Sequence, residues 1–182
     1  MNIISGELPG LMVFEPRVFG DARGFFFESW NQRRYAEAGI EEAFVQDNLS
    51  FSRHGILRGL HFQNPNAQGK LVQVLQGEVF DVAVDLRRSS PTFGRWETAV
   101  LSAGNRRQFY VPPGFAHGFV VTSETALFHY KCTADYSPRD ERTLLWNDPD
   151  LGIPWPVETP VLSDKDRVGL RLKDLPAEAF FP

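Results

Sequence analysis

The sequence predicts an all-β chain wound as a jelly roll, or double-stranded β-helix, with a few short helices. Short apolar runs with period-two alternation recur along its 182 residues, Gly-, Pro- and Asn-containing turns separate them, and no linker, repeat or charge block divides the chain. In chain order, strands are expected at Leu11–Phe14, Phe25–Ser29, Phe44–Leu49, Ile56–Phe62, Leu71–Leu75, Glu78–Leu86, Trp96–Leu101, Gln108–Val111, Gly118–Thr122 and Ala126–Thr133. A Gln76-Gly77 turn separates the two central strands. In the second of these, Phe80, Val82, Val84 and Leu86 take one face while Asp81 and Asp85 take the other. One helix is expected over Gln32–Ala38, with Asn31 as its N-cap and Gly39 as its stop. A second helical turn begins at Ser163, with Asp164 and Asp166 near its N-terminus. We read residues 1–182 as one domain, which at this length buries roughly 70% of the surface its unfolded chain exposes.

Composition narrows the function classes. Lys and Arg number 19 against 23 Asp and Glu, a mildly acidic balance that argues against nucleic acid or an anionic membrane as partner. Cys132 is the only cysteine, so no internal disulfide forms and no oxidising compartment is called for. The opening MNIISGELPGLMVFEP lacks a basic leader, and no apolar run nears the ~18 residues a membrane span needs. The expected location is the cytoplasm.

Two histidines stand out. His117 closes PPGFAH, which fits the cupin pattern Pro-x-Gly-x-x-His. His61 lies in LRGLHFQ, where a metal-binding cupin wants His-x-His and a nearby Glu, since a transition metal needs three or four converging ligands. Phe62 and Gln63 follow instead, and the only charge before Leu71 is Lys70. The expected pocket is therefore a cupin pocket with no metal and with acid–base chemistry in its place. Gln46 and Asn48 share strand parity, so both amides point to one side. Arg58 and His61 do not, and both face the interior only if the strand bulges, for which Gly59 is the suited residue.

FEPRVFGDARGFFFES (Phe14–Ser29), FVQDN (Phe44–Asn48), LRGLHFQ (Leu57–Gln63), QGK (Gln68–Lys70), GEVFDVAVDLRRSSPTFG (Gly77–Gly94), VPPGFAHGF (Val111–Phe119), WNDP (Trp146–Pro149) and LSDKD (Leu162–Asp166) together resemble the dTDP-4-dehydrorhamnose 3,5-epimerases. The likeness runs from about residue 3 to residue 170. It implies a jelly-roll cupin homodimer acting on a dTDP-linked 4-keto-6-deoxyhexose in dTDP-L-rhamnose synthesis.

The chemistry of such a substrate can be set out without the name. A ketone at carbon 4 acidifies the protons on carbons 3 and 5, and removing either gives an enolate. Inversion requires reprotonation from the opposite face. The pocket therefore needs a base on one side, an acid on the other and a cation or donor at the ketone oxygen. No redox cofactor is required. An imidazole, titrating near ~6.5, suits the base, and a phenol near ~10 suits the acid.

Carried over by the resemblance, His61 is the base, Asp166 its carboxylate partner, Lys70 the cation at the enolate oxygen and Tyr130 the acid. His117 is a second histidine near the substrate. Arg23, Glu28, Gln46, Asp47, Asn48, Arg58, Lys70, Glu141 and Lys165 match nucleotide- and sugar-binding positions, and Tyr136 falls where the family stacks an aromatic ring on thymine. Arginines suit a pyrophosphate through paired charge-assisted bonds.

Taken singly, several of these residues read differently. GDARG around Arg23 is a solvated turn, Tyr130 packs in a core, His117 caps a loop, and Lys165 and Asp166 form a helix-terminus pair. Phe25–Phe27 and Trp96 read as core or dimer contacts, and the Leu11–Phe14 strand as an edge open to a neighbour's sheet. Two further functions stay open: a relative that inverts only carbon 3 or carbon 5, or moves the ketone, the last being disfavoured by His61, Lys70 and Tyr130; and a binding module or metal oxygenase of the wider cupin class. His61-Phe62-Gln63 in place of a ligand pair argues against the oxygenase.

Overall fold

The computed structural model describes residues 1–182. The chain forms thirteen strands, the longer ones along its period-two runs: β1 (Asn2–Ser5), β2 (Met12–Glu15), β3 (Phe19–Asp21), β4 (Gly24–Phe26), β5 (Gln46–Arg53), β6 (Leu57–Gln63), β7 (Lys70–Gln76), β8 (Glu78–Asp85), β9 (Trp96–Ser102), β10 (Gln108–Val111), β11 (Phe115–Val121), β12 (Thr125–Cys132) and β13 (Glu141–Thr143). The helices are short. Helix α1 (Gln32–Glu37) starts where the Asn31 side chain accepts the Arg34 N–H, and Gly39 ends it at φ +104. Helix α2 (Asp164–Arg167) is capped by Ser163.

The strands form two antiparallel sheets, one ordered β1-β2-β10-β7-β12-β5 and the other β13-β6-β11-β8-β9, with β3 and β4 as a separate hairpin. Two facing antiparallel sheets of this kind make a jelly roll, as expected. The inner core lies between them, with Val72, Val74, Phe109 and Phe128 from the first sheet meeting Val79, Leu101, Phe119 and Val121 from the second.

Strand β8 puts Asp81 and Asp85 inward and Val82, Val84 and Leu86 outward. The outward set is buried because Leu144, Leu151, Leu175 and Ala179 cover it as a second core. Asp85 is satisfied inside by Arg87, Ser90 and Thr92, which hold its carboxyl down at about 2 against the opposing effect of burial. A third cluster, including Phe14, Tyr35, Ile40 and Tyr110, seats α1 on the outer face of the first sheet.

Two expectations need correcting and a third holds. The strand near Leu11–Phe14 is no edge: β2 pairs with both β1 and β10, and β1, which the alternation did not mark, takes the edge with Ile3 and Ile4 exposed. The strand expected at Phe25–Ser29 stops at Phe26, and Phe25 and Phe26 are not core, being 60% and 70% exposed. Trp96 packs against the second core and donates its indole N–H to the Leu151 carbonyl at 2.8 Å.

Candidate active site

A cavity of about 590 Å³ opens between the two sheets. Strand β6 builds one wall. Its pairing with β11 shifts register between His117 and Phe119, so that His117 faces His61 and Phe119 faces Arg58. Two β6 residues therefore oppose one, the bulge that places Arg58 and His61 on the same face. Gly59 sits there at φ +130, and a Cβ would stand 2.6 Å from Gly118 Cα and 2.9 Å from the His117 carbonyl oxygen. No larger residue fits the crossing.

His61 Nε2 hydrogen bonds to Asp166 Oδ1 at 2.5 Å, leaving Nδ1 to accept a proton. The other carboxylate oxygen, Oδ2, accepts from Ser163 Oγ at 2.7 Å, and Ser163 Oγ accepts the Asp166 N–H at 3.2 Å. The reciprocal cap that starts α2 thus fixes the carboxylate on the imidazole. Burial pushes the His61 imidazole below its usual value, with the Asp166 bond pulling back part of the way. Burial pushes Asp166 up, but the His61 and Ser163 bonds outweigh it and hold the carboxyl below its ordinary range.

A second such pair reaches the cavity wall through His117, whose Nε2 hydrogen bonds to Asp81 Oδ1 at 2.8 Å. Burial raises the Asp81 carboxyl, and His117 offsets part of the rise.

The opposite wall comes from β5, β7 and β12, whose inward residues include Gln46, Asn48, Lys70, Tyr130 and Cys132. Gln46 Nε2 donates to Asn48 Oδ1 at 2.9 Å, as their shared parity led us to expect. Burial raises the Tyr130 phenol, so it holds its proton through neutral pH. Burial lowers the Lys70 ammonium. Lys70 forms no ion pair, whereas the other pocket lysine, Lys165, is tied to Glu141 at 2.8 Å. At the rim, Glu141 also accepts from the Tyr136 hydroxyl at 3.0 Å; burial raises its carboxyl, but these two bonds win and keep it low. Arg58 donates to Ser52 Oγ at 3.0 Å.

Eleven of the fourteen expected residues line the cavity: Gln46, Asn48, Arg58, His61, Lys70, His117, Tyr130, Tyr136, Glu141, Lys165 and Asp166. Three do not. Asp47 has the opposite parity to its neighbours and points to the outer face, where Lys131 holds it at 2.7 Å. Arg23 stays in the exposed β3–β4 turn on Asp21. Glu28 pairs with Arg34 of α1 at 3.1 Å, outside the cavity. Residues the sequence reading passed over also line the wall, notably Gln63, Gln68 and Cys132. Gln63 shares parity with His61, and Cys132 with Tyr130, a signal that could have found both.

No group of three or more His, Cys, Asp or Glu side chains is placed to hold a metal ion. What the arrangement offers is a neutral imidazole with a carboxylate behind it on one sheet, and a protonated phenol beside an unpaired cation on the other.

Residues 5–174 match the family model described as dTDP-4-dehydrorhamnose 3,5-epimerase. The Pseudomonas aeruginosa dTDP-4-dehydrorhamnose 3,5-epimerase is 60% identical over 169 residues, covering 92% of this chain and 93% of that protein. The Shigella flexneri protein of the same name is 56% identical over 176 residues, covering 96% of this chain and 97% of that one. Among solved structures, the dTDP-6-deoxy-D-glucose-3,5-epimerase of Legionella pneumophila, in complex with dTDP-4-keto-L-rhamnose, superposes with a TM-score of 0.97 at 52% identity, covering 99% of this chain and 97% of that one.

Proposed function

The chain belongs to the dTDP-4-dehydrorhamnose 3,5-epimerase family, and we infer from that membership and from its cavity that it converts dTDP-4-dehydro-6-deoxy-D-glucose to dTDP-4-dehydro-L-rhamnose. It is an isomerase of dTDP-rhamnose synthesis, inverting carbons 3 and 5 by acid–base catalysis. The observation that carries the mechanism is the division of base and acid between the two facing sheets. His61, with Asp166 behind it, takes the proton from carbon 3 or carbon 5, and the carboxylate stabilises the imidazolium that forms. Charge moves to the ketone oxygen, where Lys70 meets it; a cation already desolvated and unpaired needs no partner broken first. Tyr130 delivers a proton from the far face, which inverts the carbon. The same four groups serve both carbons in turn, once His61 has released its proton to solvent and Tyr130 has taken one up.

Tyr136 at the rim is the platform for the thymine ring, and Arg58 and Lys165 take the pyrophosphate. Arg23 and Glu28 lie outside this chain's cavity, on or beside a hairpin whose Phe25 and Phe26 are exposed. The outer face of β5 adds Leu49 and Phe51, also exposed. This supports a homodimer in which the hairpin of one copy brings Arg23 to the nucleotide bound by the other. No helix is long and apolar enough to cross a membrane; we read residues 1–182 as one folded domain and, from the nucleotide-sugar substrate and the lone cysteine, propose a cytoplasmic location.

Proton NMR of dTDP-4-dehydro-6-deoxy-D-glucose incubated with the protein in D₂O tests the reading. Deuterium at both carbons, with dTDP-L-rhamnose trapped by a reductase, is expected. Exchange at one carbon alone would make the protein a single epimerase, and no exchange would leave only a binding site.

A further inference from the structure

Residues 134–137 leave the end of β12 and belong to no strand or helix. No backbone ladder holds them, yet each of the four has a backbone group bonded to a glutamine side chain. Gln68 Nε2 donates to the Ala134 carbonyl at 2.8 Å. Gln63 Nε2 donates to the Asp135 carbonyl at 3.2 Å, and Gln63 Oε1 accepts the Ser137 N–H at 2.9 Å. Gln46 Oε1 accepts the Tyr136 N–H at 2.9 Å. The three glutamines come from β6, β5 and the turn before β7, so the loop is pinned to both sheets.

Gln63 is the centre of this cradle. It is 3% exposed, its amide also donates to the Asn66 carbonyl at 2.8 Å, and it follows His61 by two residues on the same inward face of β6. One rigid strand therefore carries both the imidazole and the clamp on the loop that bears Tyr136. Tyr136 itself is 49% exposed, and its hydroxyl bond to Glu141 ties the tip of the side chain while the glutamines fix the backbone that carries it.

We propose that Gln63, aided by Gln68 and Gln46, is a positioning residue that sets Tyr136 at a fixed distance from His61, and so makes the cavity select a nucleotide-linked sugar whose base and reacting carbons are that far apart. The proposal rests on the reading of Tyr136 as the platform for the base. Preorganising an exposed ring removes an ordering cost that would otherwise fall on binding. The effect belongs to substrate affinity rather than to proton transfer, because none of the three amides touches the acid, the base or Lys70.

The test is a double-mutant cycle read by calorimetric titration with dTDP and by steady-state kinetics, using Gln63→Met, Tyr136→Ala and the double variant. Methionine keeps the side-chain volume and removes the bonds. Gln63→Met is expected to weaken dTDP binding and raise KM by about tenfold, with kcat changed by less than about threefold, the scale of one or two lost hydrogen bonds. In the Tyr136→Ala background the same substitution should leave dTDP affinity within about twofold, since nothing remains to be positioned. Gln68→Met, which removes a single bond from a half-buried site, should move KM in the same direction by less. Equal losses with and without Tyr136 would overturn the clamp, as would a fall in kcat with dTDP affinity unchanged. If Tyr136→Ala alone leaves dTDP affinity unaltered, the platform reading fails first and the clamp falls with it.

Discussion

Replacing Asp166 with Asn separates two jobs the residue performs. Its carboxylate is 3% exposed and 2.5 Å from His61 Nε2, and its backbone N–H closes the Ser163 cap of α2. Asparagine keeps the shape and the cap but removes the charge. In the transition state His61 becomes an imidazolium, and a hydrogen bond between charged groups is worth ~1.5–3 kcal/mol. At tenfold per ~1.4 kcal/mol, kcat should fall by roughly 10- to 150-fold.

The pH profile gives the sharper signature. Proton removal needs neutral His61, so kcat/KM falls as pH drops through the imidazole pKa of the free enzyme. Burial already holds that pKa below its ordinary value, and Asp166 is the main group pulling it back up. Without the carboxylate the pKa drops further, and the ascending limb moves to lower pH even as the maximum falls. A reductase-coupled assay from about pH 5 to 8 reads both, and Ser163→Ala is the control, since it loosens the cap at ~1 kcal/mol of stability while keeping the charge. An Asp166→Asn enzyme with unchanged kcat and an unmoved limb would reduce Asp166 to a helix cap and refute the proposed partnership.

Three other outcomes are expected. Lys70→Met should cut kcat by ~10²- to 10³-fold, as loss of an oxyanion donor does, yet raise the urea midpoint, because an unpaired, half-buried cation gives way to an apolar side chain; a lowered midpoint would mean the ammonium is structurally paired. Tyr130→Phe should let solvent deuterium exchange at the substrate outlast net inversion in the NMR assay, whereas a parallel loss of both would deny Tyr130 a separate role as acid. Mixing Arg23→Ala with His61→Ala protein should restore activity in hybrid dimers, whose Arg23→Ala chain keeps an intact His61 and receives Arg23 from its neighbour; no recovery in a proven hybrid would show that Arg23 serves its own chain or none.

The site was legible wherever local pattern and pocket coincide. Parity put Gln46 and Asn48 together, and the mismatch between Arg58 and His61 pointed to Gly59 before any register was known. The same parity, applied one residue further, would have excluded Asp47, which the family likeness carried in with its neighbours. Glu28 and Arg23 also came from the family likeness, and within this chain they pair with Arg34 and Asp21 outside the cavity, a placement that strand parity does not address. The strands β1, β3 and β13, four, three and three residues long, are too short for a period-two signal to rise above composition. The glutamine cradle escaped because its bonds are to loop backbone, which leaves no mark on the order of side chains. In β8 the alternation was read correctly, but not which face turned inward.

That last point bears on how the molecule is made. The outward residues of β8, Val82, Val84 and Leu86, are synthesised early, while their cover of Leu144, Leu151, Leu175 and Ala179 arrives late. A chain paused on the ribosome before those residues emerge shows an apolar sheet face to whatever is nearby. Chaperones and proteases would recognise such a stalled product by that face, which in the folded chain is concealed by residues from Leu144 onward.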